Sequence, residues 1–153
     1  MGGTFDDSVT VTGALHDALI ELGGGFDRID LAETGNRVFV RGVEELDAGT
    51  GNDLIVLLEP VQGMRLWLRT GNDTLSLADG QNVVEVNGAE TVLGGAGDDA
   101  VTVYVPMRGL VSLGAGRDRG PCGLPAATPS ALPPISRPSP AARAPTTSCS
   151  PAP

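Results

Sequence analysis

VFVRGVEELDAGTGNDLIVL (38–57) lies against VEVNGAETVLGGAGDDAVTV (84–103) without a gap, Val38 over Val84, at an offset of 46 residues. At the same offset ALIELGGGFDRIDL (18–31) meets RLWLRTGNDTLSL (65–77), and LVSLGAGRD (110–118) is a further partial copy. Each copy carries an aspartate at the end of a Gly-rich turn: Asp7, Asp27, Asp53, Asp73, Asp99 and Asp118, spaced by 20, 26, 20, 26 and 19 residues. Periods of about 20–26 residues are those of solenoids, in which each unit packs only on its neighbours.

Between the turns the chain reads as short strands. Leu19-Ile20-Glu21-Leu22, Leu54-Ile55-Val56-Leu57, Leu66-Trp67-Leu68 and Thr74-Leu75-Ser76-Leu77 are brief apolar or alternating runs bounded by Gly, Asn and Asp, the pattern of strands. Arg37-Val38-Phe39-Val40 and Asn82-Val83-Val84-Glu85-Val86 add a third strand to the longer spacings. None reaches the length that a helix needs. The expectation is an all-β parallel β-helix, a β-solenoid or β-roll of about five coils, with alternating 20- and 26-residue turns over residues 1–118.

Composition narrows the function. The 153 residues contain 22 Gly, 12 Pro, no Lys and 19 acidic residues, with a net charge of −9. All 19 acids fall within residues 1–118, against seven Arg, and so acidic a body repels a phosphate backbone, which argues against nucleic acid as a partner. No apolar run is long enough for a membrane span, and no N-terminal stretch has the pattern of a signal peptide. Both cysteines, Cys122 and Cys149, lie beyond residue 118, which leaves the repeats without a disulfide framework.

The turns GTFDDSVTV (3–11), GGGFDRIDL (23–31), GTGNDLIVL (49–57), RTGNDTLSL (69–77), GGAGDDAVTV (94–103) and GAGRDRG (114–120) resemble the glycine-aspartate nonapeptide G-G-x-G-x-D-x-U-x of the RTX, or hemolysin-type, calcium-binding repeat proteins. The resemblance covers residues 2–118, and GGAGDDAVT fits every position. It implies a secreted, extracellular calcium-binding module with no enzymatic activity, in which Ca²⁺ sits between stacked turns. Carried over residue by residue, the metal set is Asp7, Gly23, Gly25, Asp27, Gly49, Gly51, Asn52, Asp53, Gly71, Asn72, Asp73, Gly95, Gly97, Asp98, Asp99, Gly114, Gly116 and Asp118. The family packs two motifs into each coil, whereas one motif per longer coil is expected here, hence one column of sites. The pairs Asp53 with Asp73 and Asp73 with Asp99 keep the motif best. Arg69 stands at a first-glycine position and Phe5 at a second.

Elementary chemistry agrees with the resemblance. Ca²⁺ takes six to eight oxygen ligands, which carboxylates and turn carbonyls supply. Glycine permits the positive φ that a tight turn requires. Carboxylates stacked about 5 Å apart repel by roughly 3 kcal/mol at an effective dielectric of 20, so a cation between them would stiffen the rod. Asn and Asp are also good turn formers in their own right, and a metal-independent structural or adhesive solenoid is the alternative.

Other residues point less far. His16, beside Asp17, has no supporting nucleophile motif and reads as a turn residue. Trp67 alternates away from Leu66 and Leu68, onto the outer face or a partner. Asp30, Asp47 and Asp79 form a second acidic set of the kind that polysaccharide-acting β-helix enzymes carry, but without the usual basic cleft. The fragment Thr10-Val11-Thr12 does not repeat, so no threonine array for ice binding is formed.

Residues 119–153 hold ten of the prolines and no acid, and a disordered Pro/Ala/Ser-rich tail is expected there. A natural linker and an out-of-frame read of a GC-rich gene both fit that composition. The first repeat begins at Met1-Gly2-Gly3 without a capping unit, as in a piece of a longer array, and uncovered terminal strands favour end-to-end self-association.

Overall fold

Corners rich in Gly, Asn and Asp turn the chain back and forth between two parallel sheets. The computed structural model describes residues 2–104, 109–121 and 148–149. The first sheet holds β1 (Ser8–Thr10), β3 (Arg28–Asp30), β5 (Glu45–Asp47), β7 (Gln62–Trp67), β9 (Val83–Asn87), β11 (Ala100–Val103) and β13 (Arg119–Gly120), with β14 (Ser148–Cys149) beside the last. The second holds β2 (Ala18–Glu21), β4 (Arg37–Arg41), β6 (Leu54–Leu57), β8 (Thr74–Ser76), β10 (Thr91–Leu93) and β12 (Leu110–Ser112). The neighbours in both sheets pair in parallel, from Ser8 on Arg28 to Thr91 on Leu110, and from β1 to β13 consecutive strands alternate between the sheets. The chain is an all-β solenoid of about six coils.

The coil is shorter than the aspartate spacings suggest. Equivalent corner residues are 20 apart at Asp7 and Asp27, 17 apart at Asp27 and Glu44, and 19 apart at Asp99 and Asp118. The 17-residue coils contain a three-residue corner, Gly42-Val43-Glu44 or Gly88-Ala89-Glu90, in place of a longer Gly-rich one. A spacing of 26 is therefore a coil and a half, and it carries the motif from one edge of the solenoid to the other. The 46-residue repeat spans two and a half coils and matches β4 of the second sheet to β9 of the first.

The interior repeats and the exterior does not. Val38, Val40, Leu46 and Ile55 are buried, and so are their counterparts Val84, Val86, Val92 and Val101. Ile29 and Leu31 match the buried pair Leu75 and Leu77 in the same way. Each large aliphatic side chain so buried contributes about 1.5–3 kcal/mol. Outside, the first sheet bears Arg28, Glu45, Arg65 and Glu85 in register, and Arg28 and Arg65 both pair with Glu45. The second sheet bears Leu19, Phe39 and Val56 in register. Trp67 lies half-buried on the outer face of the first sheet, between Asp47 and Asn87.

Arg119–Gly120 adds a strand after Asp118, and Ser148–Cys149 pairs with it in parallel. The tail expectation otherwise concerns 122–147 and 150–153, which lie outside the described residues, as does Cys122.

Candidate metal centre

At nine corners the last residue carries a side-chain oxygen that accepts a hydrogen bond from the backbone one coil earlier; Val61 and Gly109 end two corners without one. On the edge leading into the first sheet, Asp27 Oδ1 accepts from the N–H of Asp7 (2.8 Å) and Glu44 Oε2 from that of Asp27 (2.8 Å). Further along, Asn82 Oδ1 accepts from Val61 (3.2 Å), Asp99 Oδ1 from Asn82 (3.1 Å) and Asp118 Oδ1 from Asp99 (3.1 Å). The opposite edge repeats the series: Asn36 accepts from Leu15 (3.2 Å), Asp53 from Asn36 (2.7 Å), Asp73 from Asp53 (2.8 Å) and Glu90 from Asp73 (2.8 Å). The full rung order is Asn36–Asp53–Asp73–Glu90; Asn82 and Asp99 repeat its first two members at the 46-residue offset, and Asp118 repeats the third one residue short of it.

This arrangement corrects the single column. Asp7, Asp27, Asp99 and Asp118 line one edge, and Asp53 and Asp73 the other. Asp53 and Asp73 are neighbouring rungs, as expected. Asp73 and Asp99 are not, because the 26-residue step between them crosses the solenoid. The neighbouring pairs are Asp7 with Asp27, Asp53 with Asp73, and Asp99 with Asp118.

An outer rung ties the same three pairs together. Asp6 Oδ1 accepts from the N–H of Phe26 (2.7 Å), Asn52 Oδ1 from that of Asn72 (2.9 Å) and Asp98 Oδ1 from that of Arg117 (2.8 Å). Asn52, Asn72 and Asp98 are exposed, so they stand outside the inner ladder in which the motif had placed them.

Close stacking explains the glycines. Gly23, Gly25, Gly49, Gly51, Gly71, Gly97 and Gly114 all have positive φ. A Cβ on Gly51 would lie 2.5 Å from the backbone nitrogen of Gly35 and 2.6 Å from the carbonyl carbon of Thr34. Gly95 and Gly116 lack positive φ, but a Cβ on either would strike the coil below. Arg69, at the first-glycine position of its turn, takes φ 55°. Its guanidinium spans Asp47, with Nε 2.7 Å from Oδ1 and a terminal nitrogen 2.5 Å from Oδ2.

Inside the ladder the aspartates are almost wholly removed from water. Asp27 and Asp73 are 0% exposed, Asp99 1% and Asp53 2%. The second carboxylate oxygen, Oδ2, of these four is buried with no hydrogen-bond partner. Burial pushes the Asp73 carboxyl up to about 6, against the N–H of Asp53 and with the charges of Asp53 and Glu90 adding to it. Burial also raises Asp53, opposed by the N–H and amide of Asn36, and it raises Asp118, opposed by the N–H of Asp99. A buried acceptor with nothing to accept is costly.

Among the described residues, no three His, Cys, Asp or Glu side chains converge as a metal cluster. No family model, curated protein or solved structure matches this chain. A hard cation at the ladder would rest on two carboxylates, with backbone carbonyls making up its oxygens. The orphaned Oδ2 atoms and the stacked turns fit such a group.

The remaining acids are engaged elsewhere. Asp30 pairs with Arg28 at 2.8 Å, Asp47 with Arg69, and Asp79 Oδ1 accepts from the N–H of Ala96 at 2.8 Å. The pocket lined by Gly2, Glu21, Gly23, Arg41, Gly42 and Glu59 contains none of the three. His16 is exposed. No helix among the described residues is long and apolar enough to cross a membrane. Asn36, Asn82, Glu44 and Glu90 stand outside the glycine-aspartate motif, although Asn36 and Asn82, and Glu44 and Glu90, are 46 residues apart like Asp53 and Asp99.

Proposed function

We propose that the chain is a calcium-binding solenoid module of the RTX type, a non-enzymatic unit that Ca²⁺ stiffens outside the cell. The observation that carries the reading is the row of buried Oδ2 atoms on Asp27, Asp53, Asp73 and Asp99, none of which has a donor. The residues that would hold the ion are the paired aspartates of neighbouring rungs, Asp53 with Asp73 above all, together with carbonyls of the glycine turns that precede them. When bound, Ca²⁺ supplies the positive charge that the stacked carboxylates lack. The protein's own part is to hold one oxygen of each aspartate on a backbone N–H, which leaves the other facing inward.

Extracellular calcium modules bind at about 10⁻⁴–10⁻³ M. An ion that binds only the folded chain, at a hundredfold excess over its dissociation constant, adds about 2.7 kcal/mol of stability. Such a module would stay loose where calcium is scarce and set where it is abundant.

The second reading is a metal-independent structural or adhesive solenoid. The inner Oδ1 hydrogen bonds favour it, because they tie coil to coil without an ion. Circular dichroism and melting of the full chain in EGTA, CaCl₂ and MgCl₂ separate the two. A melting temperature raised by Ca²⁺ and not by Mg²⁺ supports the calcium module. Equal melting in all three supports the structural rod.

A further inference from the structure

Asn36 and Asn82 are the two ladder rungs that carry an amide. Both are buried, at 2% and 0% exposure. In each, Oδ1 accepts a backbone N–H from the coil before, as the aspartates do. The other terminal atom differs. Asn36 Nδ2 lies 3.0 Å from the carbonyl oxygen of Ala32, 2.5 Å from that of Thr34, 3.2 Å from that of Ala48 and 3.0 Å from Asp53 Oδ1. Asn82 Nδ2 lies 2.8 Å from the carbonyl oxygen of Ala78, 3.1 Å from that of Gly80 and 2.8 Å from Asp99 Oδ1. Four oxygens around one nitrogen exceed the two protons that it has to give. The amide therefore sits in an oxygen cage made of turn carbonyls and the carboxylate of the next rung.

Aspartate has nearly the same shape as asparagine, with an oxygen where the NH₂ would be. At Asp27, Asp53, Asp73 and Asp99 the oxygen on that side is the one without a partner. The positions that correspond to Ala32 and Thr34, four and two residues before the rung, are Gly49 and Gly51 for Asp53. The asparagines show what a rung needs on this side: a positively polarised group facing several oxygens. Where the rung is Asn, the chain supplies it. Where the rung is Asp27, Asp53, Asp73 or Asp99, the chain supplies none.

We infer that Asn36 and Asn82 determine where cations bind: the amide nitrogen of each occupies the place that Ca²⁺ takes at the aspartate rungs, so these two corners are cation-free and end stops to the Asp53–Asp73 and Asp99–Asp118 pairs. The inference rests on the calcium reading. It deepens that reading by confining the ions to Asp7 with Asp27, Asp53 with Asp73, and Asp99 with Asp118. Each pair is also the one that the outer rung ties together. At the far side of two pairs a different closure operates. Glu44 and Glu90 reach back from three-residue corners to the N–H of Asp27 and Asp73, where the longer glycine turn is absent.

The test is the substitution Asn36→Asp in the full chain, with bound Ca²⁺ counted by equilibrium dialysis and melting followed in EGTA and in CaCl₂. The variant is expected to bind one more Ca²⁺ per chain than the wild type. It should melt lower than the wild type in EGTA and recover in Ca²⁺ but not in Mg²⁺. The reverse change, Asp53→Asn, keeps the shape of the rung and serves if the first variant does not fold. It should bind one Ca²⁺ fewer and melt higher than the wild type in EGTA. A wild type that binds Ca²⁺, with a count that neither substitution changes, overturns this inference and leaves the calcium reading in place. A wild type that binds no Ca²⁺ overturns both.

Discussion

The backbone N–H of Asp53 donates to Oδ1 of Asp73, 2.8 Å away and 20 residues later in the chain. One side chain thus joins two coils through the interior, beside strands that already pair along their backbones. Neither residue is more than 2% exposed, so water cannot replace the bond.

Asp73→Ala removes that acceptor and strands the N–H of Asp53. The expected loss is about 1–3 kcal/mol, measured by urea unfolding in EGTA so that any ion is out of play. Asn52→Ala is the matched control. It removes the acceptor for the N–H of Asn72 at an exposed site, where water substitutes, and should cost no more than about 0.5 kcal/mol.

Acid should stabilise the calcium-free chain before it unfolds it. Burial lifts Asp73 from an ordinary 3.8 to about 6, so between those values the folded chain holds more protons than the unfolded one. Stability from this group is complete below 3.8 and lost as pH rises through about 6. Asp53 and Asp118 shift in the same direction. In EGTA the melting temperature is therefore expected to rise as pH falls from neutral into that window. The increment from Ca²⁺ should shrink over the same range, because protons and the ion compete for the same oxygens. A melting temperature that falls steadily from neutral pH downward would refute the assignment.

Two glycines separate the cost of backbone angle from that of stacking. Gly63, at φ 86°, has nothing within 4 Å of an added Cβ, whereas Gly51, at φ 117°, would drive its Cβ into Gly35 and Thr34. Gly63→Ala is expected to cost about 1–2 kcal/mol, the price of a left-handed angle alone. Gly51→Ala should cost clearly more, because two backbones have to part. Denaturant midpoints of the two variants check the ordering.

Arg69 holds a left-handed angle of 55° while pairing with Asp47. Arg69→Gly relieves the angle and loses the pair, and the two effects should cancel to within about 1 kcal/mol. Arg69→Ala loses the pair and keeps the angle, so it should melt below both the wild type and the glycine variant.

The solenoid, its strands and the positions of the turn aspartates were legible because their signals are local: alternation, glycine before Asp, and an interior that repeats. The two-edged layout was harder to see. Gly42-Val43-Glu44 and Gly88-Ala89-Glu90 form whole corners in three residues, yet they read as continuations of the strands around them. With those corners hidden, a coil and a half looked like one long coil and the two edges merged into one. Asn36 and Asn82 escaped for a different reason. Their role is a matter of which atom faces the turn carbonyls, and that appears only once the coils are stacked.

A repeat of two and a half coils makes this chain a half-turn screw. Removing or duplicating one 46-residue unit would exchange Val38, Val40, Leu46 and Ile55 for their buried counterparts Val84, Val86, Val92 and Val101, yet it would swap front for back in everything downstream. The arginine-and-glutamate side would then continue into the leucine-and-phenylalanine side. A change of two units would restore the original aspect. The interior thus tolerates odd and even numbers of units alike, while any partner that reads one flat side distinguishes them.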